Sequence, residues 1–410
     1  MKFNKWTVGL AAIGVVSLAS AARADEKMSQ VQTALSNTTL SGYVDVAAQW
    51  NPGTDSGPAN GGTRNIPGYA FAKNDGFSLN AVDLALDKPM DESPWASGYH
   101  VELMFGPDAT PASIGPNNTI ANLRQAYVTL RTPVGNGIDW KVGVFDTIIG
   151  YESTSDPLNP NYTRSYGFTI EPKTHTGVLA TYKVTDVLAI SAGVANSSNV
   201  GTGTLAVNGT STYESQKTYM GSIALTAPDS FGALKGATLN LGIINSVDSA
   251  VVPGAGTRTS YYAGVTLPTP SSALKLGAAF DYLTFNNRGG GNTDDSIWVA
   301  GLYATLQPSD KLSFNLRGEI VDATQIGSSI TSPSPFGPQL LAPSAYSGHY
   351  AGEVTATAQY QLWVNVLSRL EFRWDHVYGD TFGYSQGAAT GGNPIKKNDF
   401  LIALNLIYQF

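Results

Sequence analysis

The sequence predicts an all-β protein: a transmembrane antiparallel β-barrel of about sixteen strands, preceded by a cleaved N-terminal signal peptide. Three observations carry that prediction. Only 13% of the 410 residues are charged, 44 are glycine and none is cysteine, where ordinary soluble domains carry roughly 25% charged residues and roughly 7% glycine. Most of the chain is a succession of segments of about ten residues in which apolar and polar side chains alternate. The connections between those segments alternate between short and long, the rhythm of a barrel with tight turns at one rim and loops at the other.

Lys2 and Lys5 form a positive region, Thr7 to Ser20 an apolar stretch, and Ala22-Arg23-Ala24 a small-x-small cleavage site. Residues 1–24 therefore read as a signal peptide, since the apolar run is shorter than the roughly 20 residues that span a bilayer. Removing Lys2, Lys5 and Arg23 takes the formal charge from −7 to −10. Residues 25–39, with Met28, Val31 and Leu35 at helical spacing, read as a short periplasmic or lumenal segment ahead of a barrel over 40–410.

Alternation places strands at 40–50, 77–87, 95–106, 121–132, 138–145, 174–184, 187–196, 217–226, 236–245, 257–267, 273–284, 296–306, 311–322, 352–361, 365–375 and 398–410. In the last of these Phe400, Ile402, Leu404, Leu406, Tyr408 and Phe410 share one face, and Leu401, Ala403, Asn405, Ile407 and Gln409 the other. Between Lys311 and Asp322 the separation is sharper: Leu312, Phe314, Leu316 and Ile320 oppose Lys311, Ser313, Asn315, Arg317 and Glu319. Short connections carry turn chemistry, as in Pro133-Val134-Gly135-Asn136-Gly137. Long ones are rich in Asn and Gly, as in Asn286 to Asn292.

A soluble sandwich or solenoid also alternates, but it would gather its aromatic residues in one core. Here Trp50, Trp95, Trp140, Trp298, Trp363 and Trp374 fall mostly near strand ends, where an interfacial girdle requires them. No fixed-period repeat is present. The ending Leu406-Ile407-Tyr408-Gln409-Phe410 resembles the signal by which outer-membrane proteins reach their insertion machinery. These features place the protein in the bacterial outer membrane after export through the periplasm, in contact with outer-membrane lipid.

Leu40-Ser41-Gly42-Tyr43-Val44-Asp45, Asp75-Gly76-Phe77-Ser78-Leu79-Asn80, the run Gly143 to Glu152 and the block Asn161 to Phe168 resemble the OmpL-like outer-membrane β-barrel porin family. The likeness is strongest in the first half; the second half matches in pattern and in its terminal Phe. It implies diffusion across the outer membrane and fixes no solute. Sixteen strands agree, because roughly 16 to 18 leave an aqueous channel where eight can be filled by side chains. The expected function is a water-filled channel for small hydrophilic solutes and ions. The alternative is a structural or adhesive barrel acting through residues 323–351 and 376–397.

In general porins the loop after the fifth strand folds inward. Here that connection, 146–173, is among the longest, with Asp146, Glu152, Asp156 and Glu171 against Arg164 and Lys173. Ile148, Ile149, Phe168 and Ile170 are more apolar than an outer loop needs, so the segment is expected to form the constriction; a solvated outer loop is the alternative. On the strands, alternation assigns Asp45, Asp83, Asp87, Glu102, Glu319, Glu353, Glu371 and Asp375 inward with Arg131, Lys141, Lys183, Arg317, Arg369 and Arg373, since charge facing lipid is costly. The wall is nearly balanced, the loop adds four acids against two bases, and the mature chain is at −10, which together predict a weak cation preference. The same residues could instead neutralise one another as salt bridges that stiffen the wall.

Other chemistries find little support. The absence of cysteine excludes disulfides and thiolate sites, and the acidic balance argues against nucleic-acid binding. His100, His175, His349 and His376 lie in no nucleophile or metal motif, and the glycine runs lack a phosphate loop's strand-to-helix context. No enzyme activity and no cofactor are expected. A homotrimer is left open, because no patch in the sequence decides it.

Overall fold

The protein is described here from a computed structural model, which places residues 37–52, 75–109, 123–196, 217–247, 257–288, 293–325, 350–378, 384–385 and 395–410. The signal peptide, nearly all of the 25–39 segment, His349 and most of 323–351 and 376–397 lie outside the described residues.

Sixteen antiparallel strands close into one barrel. In chain order they are β1 (Thr39–Trp50), β2 (Gly76–Lys88), β3 (Ser97–Phe105), β4 (Leu123–Thr132), β5 (Ile138–Asp146), β6 (Thr174–Lys183), β7 (Leu188–Ala195) and β8 (Thr218–Thr226). Then follow β9 (Thr238–Val247), β10 (Thr257–Pro268), β11 (Leu274–Arg288), β12 (Thr293–Leu306), β13 (Leu312–Gln325), β14 (Tyr350–Trp363), β15 (Val366–Tyr378) and, last, β18 (Asn398–Gln409). A two-residue ribbon, β16 (Tyr384–Ser385) with β17 (Ile395–Lys396), stands apart from the wall. Each strand pairs with its sequence neighbour, and β1 against β18 closes the circle from Tyr43↔Gln409 to Trp50↔Ile402. At that seam Phe410 and Gly42 exchange two backbone hydrogen bonds of 3.0 Å, so the chain terminus is part of the closure.

Every strand expected from alternation is present. In β18 Leu404 is 53% exposed on the outer face while Leu401, Asn405 and Ile407 are fully buried on the inner one. The outer face carries Leu302, Leu316, Leu370 and Phe372, exposed to the surroundings as a lipid-facing band demands. Trp50, Phe77 and Tyr378 are exposed near one rim, and Trp95, Trp363 and Tyr408 near the other, giving the two aromatic belts. The main departure in length is at β11 and β12, which run on to pair Arg288 with Thr293. The extension passes an irregularity at Asn286-Asn287, which composition alone assigned to a loop, and pairing resumes at Arg288.

Of the places where the register between described strands shifts, two turn a side chain into the interior. Between β1 and β2 the register shifts past Asp45, leaving Asn80 as the extra residue; between β3 and β4 it shifts past Glu102, leaving Arg124. An extra residue in one strand breaks the period of two, so the side chain that should face lipid turns inward. Asn80 and Ala81 are both buried, as are Arg124 and Gln125.

Candidate functional site

The segment between β5 and β6 lies inside the barrel. Asp146, grouped with the loop in the sequence reading, is the last residue of β5; the loop proper is 147–173. Its first part is held by apolar contact. Ile148 and Ile149 join Phe145, Leu179, Met220, Ile244, Tyr262 and Tyr303 in a buried cluster, with Tyr151 packed against it. Tyr151 stacks on Tyr303 with ring centroids 4.2 Å apart, and its hydroxyl is 3.2 Å from that of Thr266. Two wall glycines admit these side chains: a Cβ on Gly277 would stand 1.8 Å from the Tyr151 hydroxyl, and one on Gly242 2.4 Å from Ile149.

The second part is held by charge acting on backbone. Glu371 accepts the amides of Tyr162 at 2.6 Å and Thr163 at 2.9 Å. Glu319 accepts the Tyr166 amide at 2.5 Å and the Gly167 amide at 3.3 Å. In the opposite sense, Arg317 donates to the Thr163 carbonyl at 2.7 Å and Arg373 to the Arg164 carbonyl at 2.7 Å, while Arg369 donates to the carbonyls of Asp156, at 3.1 Å, and Asn159. Arg317 also bridges Glu152 of the loop and Glu353 of β14, both at 2.7 Å, and Arg373 takes Asp375 through two bonds of 2.8 Å. Carboxylates thus cap loop donors and guanidiniums cap loop acceptors, which satisfies a buried irregular backbone that would otherwise carry a heavy desolvation cost.

Within the loop, a single-turn helix α1 (Tyr166–Ile170) starts at Ser165, whose hydroxyl accepts the Phe168 amide at 2.9 Å. Glu152 in turn accepts the Ser165 amide at 2.8 Å, and Asp156 pairs with Arg164 at 2.5 Å. At the far end the Lys173 ammonium lies 3.2 Å from the centroid of the Phe168 ring, donates to the Phe168 carbonyl and stands 3.8 Å from Glu171. Burial lowers Lys173 to about 8, opposed by Glu171 and Asp281. Burial likewise raises the Glu171 carboxyl, with Lys173 pulling the other way. Tyr162 is pushed well up, first by burial and then by Asp108 and Asp45.

The sequence-derived residues therefore separate into groups. Glu152, Asp156 and Arg164 meet Arg317, Glu319, Arg369, Glu371, Arg373 and Asp375 in one buried assembly between the loop and β13–β15. Glu171 lies farther along, against Lys173. Glu102 and Asp146 belong to another group, bonded by Arg124 at 2.5 Å and 2.7 Å. Arg131 pairs with Asp139 on its own hairpin, at 2.7 and 3.0 Å, and Lys141 stands apart. Arg124 was missed because the bulge reverses its face. Asn80 was missed for the same reason, and Asp281 because a single polar residue in an apolar run carries no signal without its partner. Asn405 is inward as read, yet it donates to Asp45 at 2.5 Å and meets no open water.

The three described histidines are all engaged. His100 lies between Asp87, at 3.0 Å, and Glu102, at 3.3 Å. His175 meets Thr147 at 3.2 Å, and His376 meets Asn398 at 2.9 Å.

A closed sixteen-strand barrel with the fifth-strand loop inside it can now be set beside known proteins. The family model described as "Putative beta-barrel porin-2, OmpL-like" matches residues 37–410. The chain belongs to that family. No curated protein matches it in sequence. Among solved structures, this OmpL-like chain is similar to an anion-selective porin from Comamonas acidovorans, with a TM-score of 0.58, 12% identity, and 91% of this chain and 99% of that one covered. It is also similar to Salmonella typhi OmpF in complex with daunomycin, with a TM-score of 0.56, 15% identity and coverage of 91% and 97%. A trimer form of Vibrio cholerae OmpT matches with a TM-score of 0.54, 12% identity and coverage of 91% and 99%. At these identities the likeness concerns the fold. The outer-membrane barrel expected from the sequence is the fold of this family.

Proposed function

We propose that the protein is an outer-membrane diffusion channel for small hydrophilic solutes and ions, and not an enzyme. The observation that carries this reading is the loop 147–173 fixed inside a closed sixteen-strand wall, since a wall of that circumference encloses more space than its own side chains fill. The loop then narrows the passage, and its docking by ion pairs keeps the constriction at one width. Assembly as a trimer, a form in which OmpT of Vibrio cholerae was solved, is part of the same proposal.

The weak cation preference drawn from the charge count is a finer question. It counted Glu152, Asp156, Glu319, Glu371 and Asp375 as charges presented to solute, and each is at most 8% exposed and bonded to a loop or wall partner. Such acids act on a passing ion only at a distance and against their own counter-charges.

The second reading, a closed structural or adhesive barrel, is favoured by the extent of that same buried network. Reconstitution of the purified chain in a planar bilayer separates the two. Steady ohmic conductance steps support the channel. Silence from correctly folded, heat-modifiable barrel would overturn it in favour of the structural reading.

A further inference from the structure

Lys141 differs from the other charges of the barrel interior. It sits on β5 opposite Thr129 of β4 and Leu179 of β6, facing inward and partly exposed. Its ammonium lies 4.9 Å from the centroid of the Tyr127 ring, and among the described residues it makes no ion pair and no hydrogen bond. The acids whose fields reach it are committed elsewhere. Arg124 holds both oxygens of Asp146 at 2.7 and 3.0 Å, and His100 holds Asp87 at 3.0 Å. Asp139, two residues along β5, is taken by both arms of Arg131.

The shelf beneath this cation is rigid. The Tyr127 ring stacks on His100 with centroids 5.2 Å apart, and His100 is itself fixed between two carboxylates. Across the barrel Lys275 on β11 is also partly exposed and has no partner among the described residues. Lys183, another inward lysine of the wall, is already paired with Asp186 at 2.6 Å.

We infer that Lys141 is an anion-contact site of the passage: small anions such as chloride or simple carboxylates pair transiently with its ammonium over Tyr127 as they cross. This rests on the diffusion reading above and gives it a charge preference at the level of contact. The physical reason is the imbalance between what is buried and what is presented. The acids of the loop and of β13–β15 facing it are bonded to guanidiniums and backbone amides, whereas the Lys141 ammonium has no carboxylate in direct contact among the described residues and lies in a cleft of low dielectric, where fields are focused. A solute anion supplies the partner that the fold withholds, within the Debye length of about 10 Å at 0.1 M salt.

The test is a reversal potential across a tenfold KCl gradient, measured on the full-length barrel in a planar bilayer for the parent, Lys141→Gln, Lys141→Glu and Lys141→Arg, with Lys183→Gln as control. Chloride permeability relative to potassium is expected to fall roughly twofold in Lys141→Gln and further in Lys141→Glu, to stay at the parent value in Lys141→Arg, and to change little in Lys183→Gln. A conducting parent whose ratio is unmoved by both Lys141→Gln and Lys141→Glu would overturn this site and leave the diffusion reading intact. So would an equal shift from Lys183→Gln, which would mark a general charge effect. A folded parent that does not conduct would overturn the diffusion reading and this site with it.

Discussion

Glu371 on the wall and Thr163 in the loop are 208 positions apart, and the Glu371 carboxylate accepts the Thr163 amide at 2.9 Å. The bond defines how this interior is organised. Wall charges bind loop backbone, so the loop's position is set by β13–β15 as much as by its own sequence.

Arg317 is the centre of that arrangement, and its removal is expected to release the loop. Arg317→Met leaves Glu152 and Glu353 buried without their guanidinium, a loss of about 3–5 kcal/mol for a broken buried pair. Hydrogen exchange over residues 152–167 should accelerate and channel conductance should become noisy, while the wall strands keep their protection. Unchanged protection of the loop would show that its docking does not depend on this residue.

The docking of the loop should also respond to pH through Lys173. Its ammonium is lowered to about 8 by burial, against about 10.4 for a free lysine. Between those values the undocked loop binds more protons than the docked one, so docking strengthens as pH rises from about 8 toward about 10.4. Glu171 acts in the other direction at acid pH: with its carboxyl raised by burial, docking is favoured below the ordinary carboxylate range and weakens as pH climbs through it. Exchange rates in 165–173, corrected for their intrinsic pH dependence, should fall between pH 8 and 10. In Lys173→Met that fall should vanish.

The two faces of the wall predict a contrast between point mutants. Leu404→Arg places a cation in the outer apolar band and should destabilise the barrel by roughly 2–4 kcal/mol if near the bilayer midplane. Thr305→Arg, at an inward and partly exposed position near the short-turn rim, should be tolerated. Urea unfolding in lipid vesicles measures both. Asn405→Arg, which alternation alone would call harmless, should be as damaging as Leu404→Arg, because Asn405 is sealed beneath the loop beside Arg369 and Asp45.

Deletion of Phe410 should reduce assembly twice over. It removes the terminal residue of the proposed insertion signal and both hydrogen bonds to Gly42 at the seam. The heat-modifiable form in outer-membrane fractions is the readout; normal amounts after deletion would separate Phe410 from both roles.

The fold was legible because a barrel is written in local terms. Alternation, turn residues and girdle aromatics each need only a short window of sequence, and they located all sixteen strands of the wall, though not the small β16–β17 ribbon. The inward facing of Arg317, Glu371 and Arg373 was legible for the same reason. What they bind was not, because the partner of a carboxylate here is often a backbone amide, and backbone amides have no sequence identity. The block Asn161 to Phe168, noticed for its family likeness, proves to be the most deeply buried stretch of the loop.

The bulge at Arg124 has a consequence for how this barrel tolerates insertions and deletions. One residue lost from β4 at that point would restore the period of two and swing Arg124 from its bonds with Glu102 and Asp146 out into hydrocarbon. The same loss within a long surface loop would be absorbed by slack. Length, and not only composition, is therefore under constraint at this strand, and a homologue shorter by one residue here would have to replace the arginine as well.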